Sequence, residues 1–230
     1  SGGTSGIGAA AARAFLAAGA TVVVGGPGEA ELAGAGEAEG LADAEPVMLD
    51  VRDGDRVAEV VPTLGPLDCV VNAAGVIRRG AEHMPEVFAE VVDVNLNGAM
   101  RVAAAARPLL ADSAGSIVNV ASMLAYFGSP FAPGYSASKG GIVQLTRSLA
   151  IAYAGDGIRV NAVAPGWIDT PLTAPVRDDP ARNDALMART ALGRWGRSEE
   201  VANAILFLAS PLAAFVTGSI LDVDGGFSAM

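Results

Sequence analysis

Short runs of consecutive apolar residues recur along the chain, separated by longer stretches with polar residues at helical spacing. The runs are TVVV at Thr21, PVML at Pro46, LDCVVN at Leu67, SIVNVA at Ser116, IRVNAV at Ile158 and SILDV at Ser219. They lack the polar/apolar alternation that one solvated face imposes, so they predict six strands buried on both faces, as in a parallel sheet between helix layers. Helices are predicted over Gly6 to Ala18, Pro85 to about Leu110, Gly134 to about Ala154 and Ser198 to Ala209. Ser198 followed by Glu199 and Glu200 reads as an N-cap with an acidic first turn, and Gly155 and Gly157 stand where a helix should stop. The order strand, helix, strand, helix predicts an α/β fold: a doubly wound, mostly parallel sheet with helices on both faces. No internal repeat or low-complexity linker interrupts it, and 230 residues are expected to form one domain over 1–230.

Composition narrows the function classes. Hydrophobic residues make up 51% and charged residues 17%, but every apolar run is far shorter than the roughly 20 residues that cross a bilayer, so no membrane partner is expected. No basic leader with an apolar core is visible, and a cytoplasmic location is expected. The net charge of −10, with no block of Lys or Arg, argues against nucleic acid as a partner. Cys69, the one cysteine, lies in LDCVV and reads as a structural thiol. The single His83 has no partners at ligand spacing, so no metal site is expected.

The chain opens SGGTSGIG, with Gly2, Gly6 and Gly8 running into an alanine-rich helix. Such a turn presents unpaired backbone N–H groups and the positive end of a helix dipole, which together hold a phosphate or pyrophosphate; side chains there would keep it out. The spacing is G-x-x-x-G-x-G rather than G-x-G-x-x-G, and a P-loop is excluded because no Lys follows the last glycine. Alone, the turn favours phosphate binding over a flexible entry to a helix.

Further motifs follow in order: LDV at Leu49, NAAG at Asn72, VNLNG around Asn95, NVAS ending at Ser122, YSASK at Tyr135, NAVAPGWIDT at Asn161 and DVDGG near Asp222. Together with the glycine turn they resemble the short-chain dehydrogenase/reductase family across essentially the whole chain, which implies a Rossmann-type dehydrogenase fold. Ser1 stands where the family usually has Thr. In that family the glycine turn follows a strand in the middle of the sheet, so the working protein is expected to carry several further apolar residues ahead of Ser1.

Tyr135 and Lys139, four residues apart on a helix, share one face, among the small residues Gly134, Ser136, Ala137, Gly140 and Gly141. A phenol can take a proton from an alcohol as hydride leaves carbon, or give one to a carbonyl in reverse. Bringing it from a pKa near 10 to neutrality needs about 4 kcal/mol of preferential stabilisation of the phenolate. An ammonium at about 4 Å supplies around 4 kcal/mol at an effective dielectric near 20, so Lys139 is expected to acidify Tyr135. The resemblance implies that Lys139 also bonds the nicotinamide ribose, that Ser122 polarises the substrate oxygen, and that Asn95 holds a water in a proton relay. By position alone Ser122 reads as a turn residue and Asn95 as an ordinary surface residue.

The resemblance also implies a cofactor path: Gly2, Ser5, Gly6, Ile7 and Gly8 at the pyrophosphate, Asp50 and Val51 beside adenine, and Asn72, Ala73 and Gly75 along the ribose. Pro165, Gly166, Ile168 and Thr170 would clamp the nicotinamide. The second strand ends VVVGGPG, placing Gly26 where an NAD enzyme usually has Asp, while no Lys or Arg follows to pair with a 2′-phosphate and Ser5 stands where many NADP-using relatives have Arg. NAD is therefore expected, with NADP open through Arg13 or Arg52.

The expected reaction is hydride transfer between the dinucleotide and a secondary alcohol or ketone. Polyols, simple alcohols and 3-oxoacyl thioesters all stand as substrates; an enoyl reductase is disfavoured because those relatives space Tyr and Lys more widely. A nicotinamide-binding regulator without turnover is the reading of a different class. The stretch from Trp167 to Trp195 resembles the family's variable lid, whose Leu, Met and Trp would line a pocket or pack on the core. A homo-oligomer, tetramer over dimer, is expected through Pro85 to Leu110 and the helix after Tyr135, with Ile142, Val143, Leu145 and Leu149 facing either a partner or their own sheet.

Overall fold

A computed structural model describes residues 1–37 and 40–229. Among the described residues six strands form, one on each predicted run: β1 (Val23–Gly26), β2 (Glu45–Met48), β3 (Cys69–Asn72), β4 (Ser116–Val120), β5 (Arg159–Pro165) and β6 (Ile220–Val223). The helices are α1 (Gly6–Ala17), α2 (Glu29–Glu37), α3 (Gly54–Val60), α4 (Pro85–Val92), α5 (Gly98–Ser113), α6 (Pro133–Ala152), α7 (Ala174–Arg177), α8 (Pro180–Arg189) and α9 (Ser198–Ala209). The long helix expected from Pro85 is therefore two helices, with a π-helical turn at Asp93–Asn97 between them. The acidic start of α9 forms one residue earlier than expected: Arg197 is the N-cap, and its amide donates to Glu200 at 2.8 Å.

All strand pairs are parallel, in the orders β1-β2 and β3-β4-β5-β6. The two groups meet through the first residues of the chain. Gly2 and Gly3 donate to the Gly25 carbonyl at 2.9 and 3.2 Å, while on the other side the Ser1 nitrogen donates to Val71 O at 2.9 Å and Ala73 N to Ser1 O at 3.1 Å. Ser1 to Gly3 thus sit as a strand end between β1 and β3, where successive connections leave in opposite directions; at such a reversal the loops part and a crevice opens.

The sheet is sealed on both faces. On β4, Ile117 packs with α3, α5 and the end of α6, whereas its neighbour Val118 packs with Ala10 and Ala11 of α1 and Val201 and Ile205 of α9. Burial of a side chain such as Ile205, fully shielded from solvent, contributes about 2–3 kcal/mol. A buried polar chain crosses these layers: Asn72 donates to Asn119 Oδ1 at 3.0 Å, Asn119 to Thr146 Oγ1 at 2.9 Å, and Thr146 to the Ile142 carbonyl at 2.8 Å. It links β3, β4 and α6 side chain by side chain. Arg159 at the start of β5 closes the far end of α9, donating to the carbonyls of Leu208 (2.7 Å), Ala209 (3.0 Å) and Ser210 (3.3 Å). The Cys69 thiol is pushed by burial up to about 11.

Candidate active site

A cleft of about 650 Å³ opens at the sheet's reversal point and runs from the glycine turn to Tyr135. Its near wall is Gly2 to the first turn of α1. The Ser5 side chain makes no cap, and the first turn has no acidic residue, so the leading N–H groups of α1 are left for whatever occupies the cleft. Glycine is required twice here for different reasons. A Cβ on Gly8 would lie 2.0 Å from the Gly2 carbonyl oxygen, so nothing larger lets the turn fold back on itself. Gly6 has φ +50, and a Cβ there would project toward Thr170 across the cleft, into the space a pyrophosphate would use. The donor set and the bare backbone therefore fit a dinucleotide phosphate group.

Along this cleft stand Ser5, Ile7, Asp50, Val51, Ala73, Gly75, Ser122, Tyr135, Lys139, Pro165, Gly166, Ile168 and Thr170 as well as the three glycines. Asn72 does not join them. It is buried behind the wall, its amide spent on Asn119 and on the Ala99 carbonyl (3.4 Å), because a side chain at the end of a central strand points into the helix layer. Asn95 also stands behind the wall. Its Oδ1 accepts from Val76 N at 2.7 Å and its Nδ2 donates to Val76 O (3.0 Å) and Ser138 Oγ (3.1 Å), so both amide protons are used. The π-helical turn carries Asn95 into this position by interrupting the α-helical ladder between α4 and α5.

Ser122 follows β4, and its Oγ accepts from Leu124 N at 3.2 Å. Tyr135 is the third residue of α6, and Lys139 lies one turn on, fully buried, with Nζ 5.5 Å from the Tyr135 ring centre. The ammonium donates to the Val120 carbonyl at 2.7 Å, and burial depresses it to about 8. The Tyr135 phenol was expected to be acidified by Lys139; instead burial pushes it above its ordinary value, with Ser122 and the Arg79 guanidinium pulling back and Glu82 pushing further. Lys139 is not among the groups that shift the phenol; its ammonium is directed at the Val120 carbonyl.

Several lining residues lie outside the quoted motifs: Pro27, Glu31, Arg52, Arg78, Glu90, Leu172 and Thr173. Just after β2, Arg52 is held by Asp50 (Nη2 to Oδ2, 2.6 Å), which keeps the Asp50 carboxyl below its ordinary range. Arg13 pairs with Glu199 and is not on the cleft. Near Tyr135, Arg79 donates to the Leu172 carbonyl at 3.0 Å; among the described residues no carboxylate lies within ion-pair distance of it. From the lid stretch only Ile168, Thr170 to Thr173 reach this cleft, while Trp167 and Trp195 stack edge-on with each other at 5.7 Å. Ile142, Val143 and Leu149 are buried in their own core, and Leu145 packs against it while staying partly exposed.

Comparison with known proteins agrees with this geometry. A family model described as "Enoyl-(Acyl carrier protein) reductase" matches residues 2–228. The chain is 45% identical to cis-4-hydroxycyclohexanecarboxylate dehydrogenase of Sinomonas cyclohexanicum over 100% of this chain and 95% of that one. It is 42% identical to a 3-oxoacyl-[acyl-carrier-protein] reductase of Thermotoga maritima over 98% and 94%. It superposes on a gluconate 5-dehydrogenase from Burkholderia cenocepacia J2315, solved with NADP and tartrate, with TM-score 0.92 and 33% identity, covering 100% of this chain and 94% of that one.

Proposed function

The chain belongs to the short-chain dehydrogenase/reductase family, and from that premise we propose that it interconverts a secondary alcohol and its ketone with Tyr135 as acid and base. The observation that carries this reading is one continuous cleft with uncapped amides and bare glycines at one end and Ser122, Tyr135 and Lys139 together at the other. The residues from Gly2 to Gly8 would hold the pyrophosphate, and Lys139 would reach the nicotinamide ribose. A nicotinamide dinucleotide supplies the hydride acceptor or donor.

In carbonyl reduction the Tyr135 phenol donates its proton to the substrate oxygen while the Ser122 hydroxyl polarises that oxygen; in alcohol oxidation the same proton returns. The raised phenol is a ready donor at neutral pH and a base only at higher pH. Asn95, with its side-chain protons already bonded, serves the relay by fixing Val76 and the α4–α5 kink; a relay water would bond to backbone there. Tyr135→Phe is the direct test: dinucleotide binding within about twofold of wild type, and turnover lower by at least about 10³-fold. Turnover surviving unchanged would end this mechanism. A regulator without turnover would instead bind dinucleotide and show no hydride transfer in the wild type.

Within that reaction, a hydroxy acid fits best. Arg79 presents a half-buried guanidinium beside Tyr135 with no carboxylate partner among the described residues, and two of the similar proteins named above act on hydroxylated carboxylates by name. The 3-oxoacyl thioester reading is favoured by the similarity to the Thermotoga reductase. The Tyr135–Lys139 spacing of four speaks for either over enoyl reduction. Measuring turnover of gluconate, a neutral polyol and a 3-oxoacyl thioester side by side separates them.

For the cofactor we favour NAD: Arg52 is engaged by Asp50, and Glu31 places a carboxylate on the cleft beyond β1, where it would accept from a ribose hydroxyl and repel a 2′-phosphate. A homo-oligomer remains our expectation, carried by exposed apolar residues on α4 and α5 such as Phe88 and Met100. Among the described residues no helix is long and apolar enough to cross a membrane.

A further inference from the structure

Glu82 is a carboxylate only 1% exposed, with no Lys, Arg or His in ion-pair distance among the described residues. Its two oxygens are both occupied by backbone amides: Oε1 accepts from Arg78 N at 2.7 Å and Oε2 from Tyr135 N at 2.8 Å. The second contact spans 53 residues and ends on the very residue that carries the phenol. Helix α6 has no side-chain cap of its own; Ala132 stands at the N-cap and Pro133, without an N–H, at the first position. Glu82 therefore supplies from a distance the cap that a Ser or Asp at position 132 would supply locally.

The surroundings are built for this reach. Gly80 N donates to the Phe131 carbonyl at 2.7 Å and His83 Nε2 pairs with the Pro130 carbonyl at 2.9 Å, so the segment bearing Glu82 is fastened to the chain just ahead of α6. A Cβ on Gly134 would come within 3.2 Å of Glu82 Oε2. A buried unpaired carboxylate is a costly way to cap a helix, and a neutral cap would serve stability better.

We propose that Glu82 is a positioning residue for the acid/base centre, whose carboxylate fixes the first turn of α6 and whose charge biases Tyr135 toward the protonated phenol. The groups that face Tyr135 are Glu82 from the 3₁₀ turn at Ala81–His83, Arg79 from the loop before it, Ser122 after β4 and Lys139 on α6 itself. Of these only Glu82 is negative. Removing its charge makes the phenol easier to ionise; removing its geometry frees the ring.

The test uses the full chain with 13Cζ-labelled tyrosine. The chain has 3 tyrosines, so the Tyr135 resonance is assigned by its loss in Tyr135→Phe. In Glu82→Gln the Tyr135 titration midpoint should fall by about half a pH unit or more, with dinucleotide affinity held and kcat, on whichever alcohol the wild type turns over, lower by about tenfold. A purely structural cap would lower thermal stability and leave the midpoint in place. Should the Gln variant not fold, Glu82→Asp keeps the charge but withdraws it from the Tyr135 amide; hydrogen-exchange protection of that amide and kcat should each drop about tenfold. An unmoved midpoint in folded Glu82→Gln, or wild-type protection and kcat in Glu82→Asp, overturns the inference. It rests on the acid/base reading of Tyr135: turnover persisting in Tyr135→Phe sinks that reading, whereas a dead Tyr135→Phe beside a Gln variant with an unmoved midpoint sinks this inference alone.

Discussion

Lys139 and Tyr135 stand one helical turn apart with the ammonium nitrogen 5.5 Å from the phenol ring centre, yet the ammonium donates to the Val120 carbonyl at 2.7 Å. The pair that the sequence presents as a charge acting on an acid is, in this protein, a buried lysine and a half-buried tyrosine, each held away from its charged form. Burial lowers the lysine to about 8 and raises the tyrosine.

The lysine is therefore a stability cost. Its pKa falls from 10.5 to about 8 on folding, so the penalty is fully present below about pH 8 and fades as pH rises toward 10.5. Lys139→Met, similar in volume and without charge, should stabilise the protein by about 2 kcal/mol at pH 7 after the lost Val120 bond is allowed for. The gain should close between pH 8 and 10.5, and turnover should be lost. Denaturant melts at pH 7 and pH 10 check both parts.

The raised phenol sets opposite pH dependences for the two directions of reaction. Carbonyl reduction, which needs the protonated phenol, should be flat or falling from pH 6 to 9. Alcohol oxidation, which needs the phenolate, should rise about tenfold per pH unit on the acid side of its optimum. Initial rates in both directions over this range decide it; oxidation independent of pH would mean another base.

Cofactor choice should follow the adenosine end of the cleft. We expect NADH to be preferred at least about tenfold, and Glu31→Arg to reverse the sign by replacing a repelling carboxylate with a 2′-phosphate partner. Apparent affinities of both reduced cofactors for both proteins test this. A tenfold preference of the wild type for NADPH ends the claim.

Arg159 offers a check on the scaffold away from the chemistry. Arg159→Met leaves the last carbonyls of α9 without donors and should cost about 2–3 kcal/mol of stability with KM unchanged. Calorimetry alongside steady-state kinetics measures the two.

What was legible beforehand follows a physical line. The six strands were readable because a strand buried on both faces must be a short unbroken apolar run, and α1, α6 and α9 because their periodicity is sustained. Helices α2, α3, α7 and α8 were not, being short or polar, although Asp53 and Asp179 each cap a first turn by accepting from Arg56 N and Arg182 N. In the site, Tyr135 and Lys139 were legible since their relation is local to one helix. Glu82 and Arg79 were not, because their relation to Tyr135 spans more than 50 residues of chain and exists only after α4 packs on α6. Asn72 shows the complementary limit: its motif is local, but the direction of its side chain is decided by the sheet.

The polar chain from Asn72 through Asn119 to Thr146 acts as an indexing pin. Apolar layers tolerate sliding by a fraction of an ångström, since one methyl contact substitutes for another; a run of directional bonds does not. Because the pin enters α6 at Thr146, the longitudinal setting of that helix on the sheet, and with it the position of the Tyr135 hydroxyl over the cleft, is inherited from three side chains that do not line it.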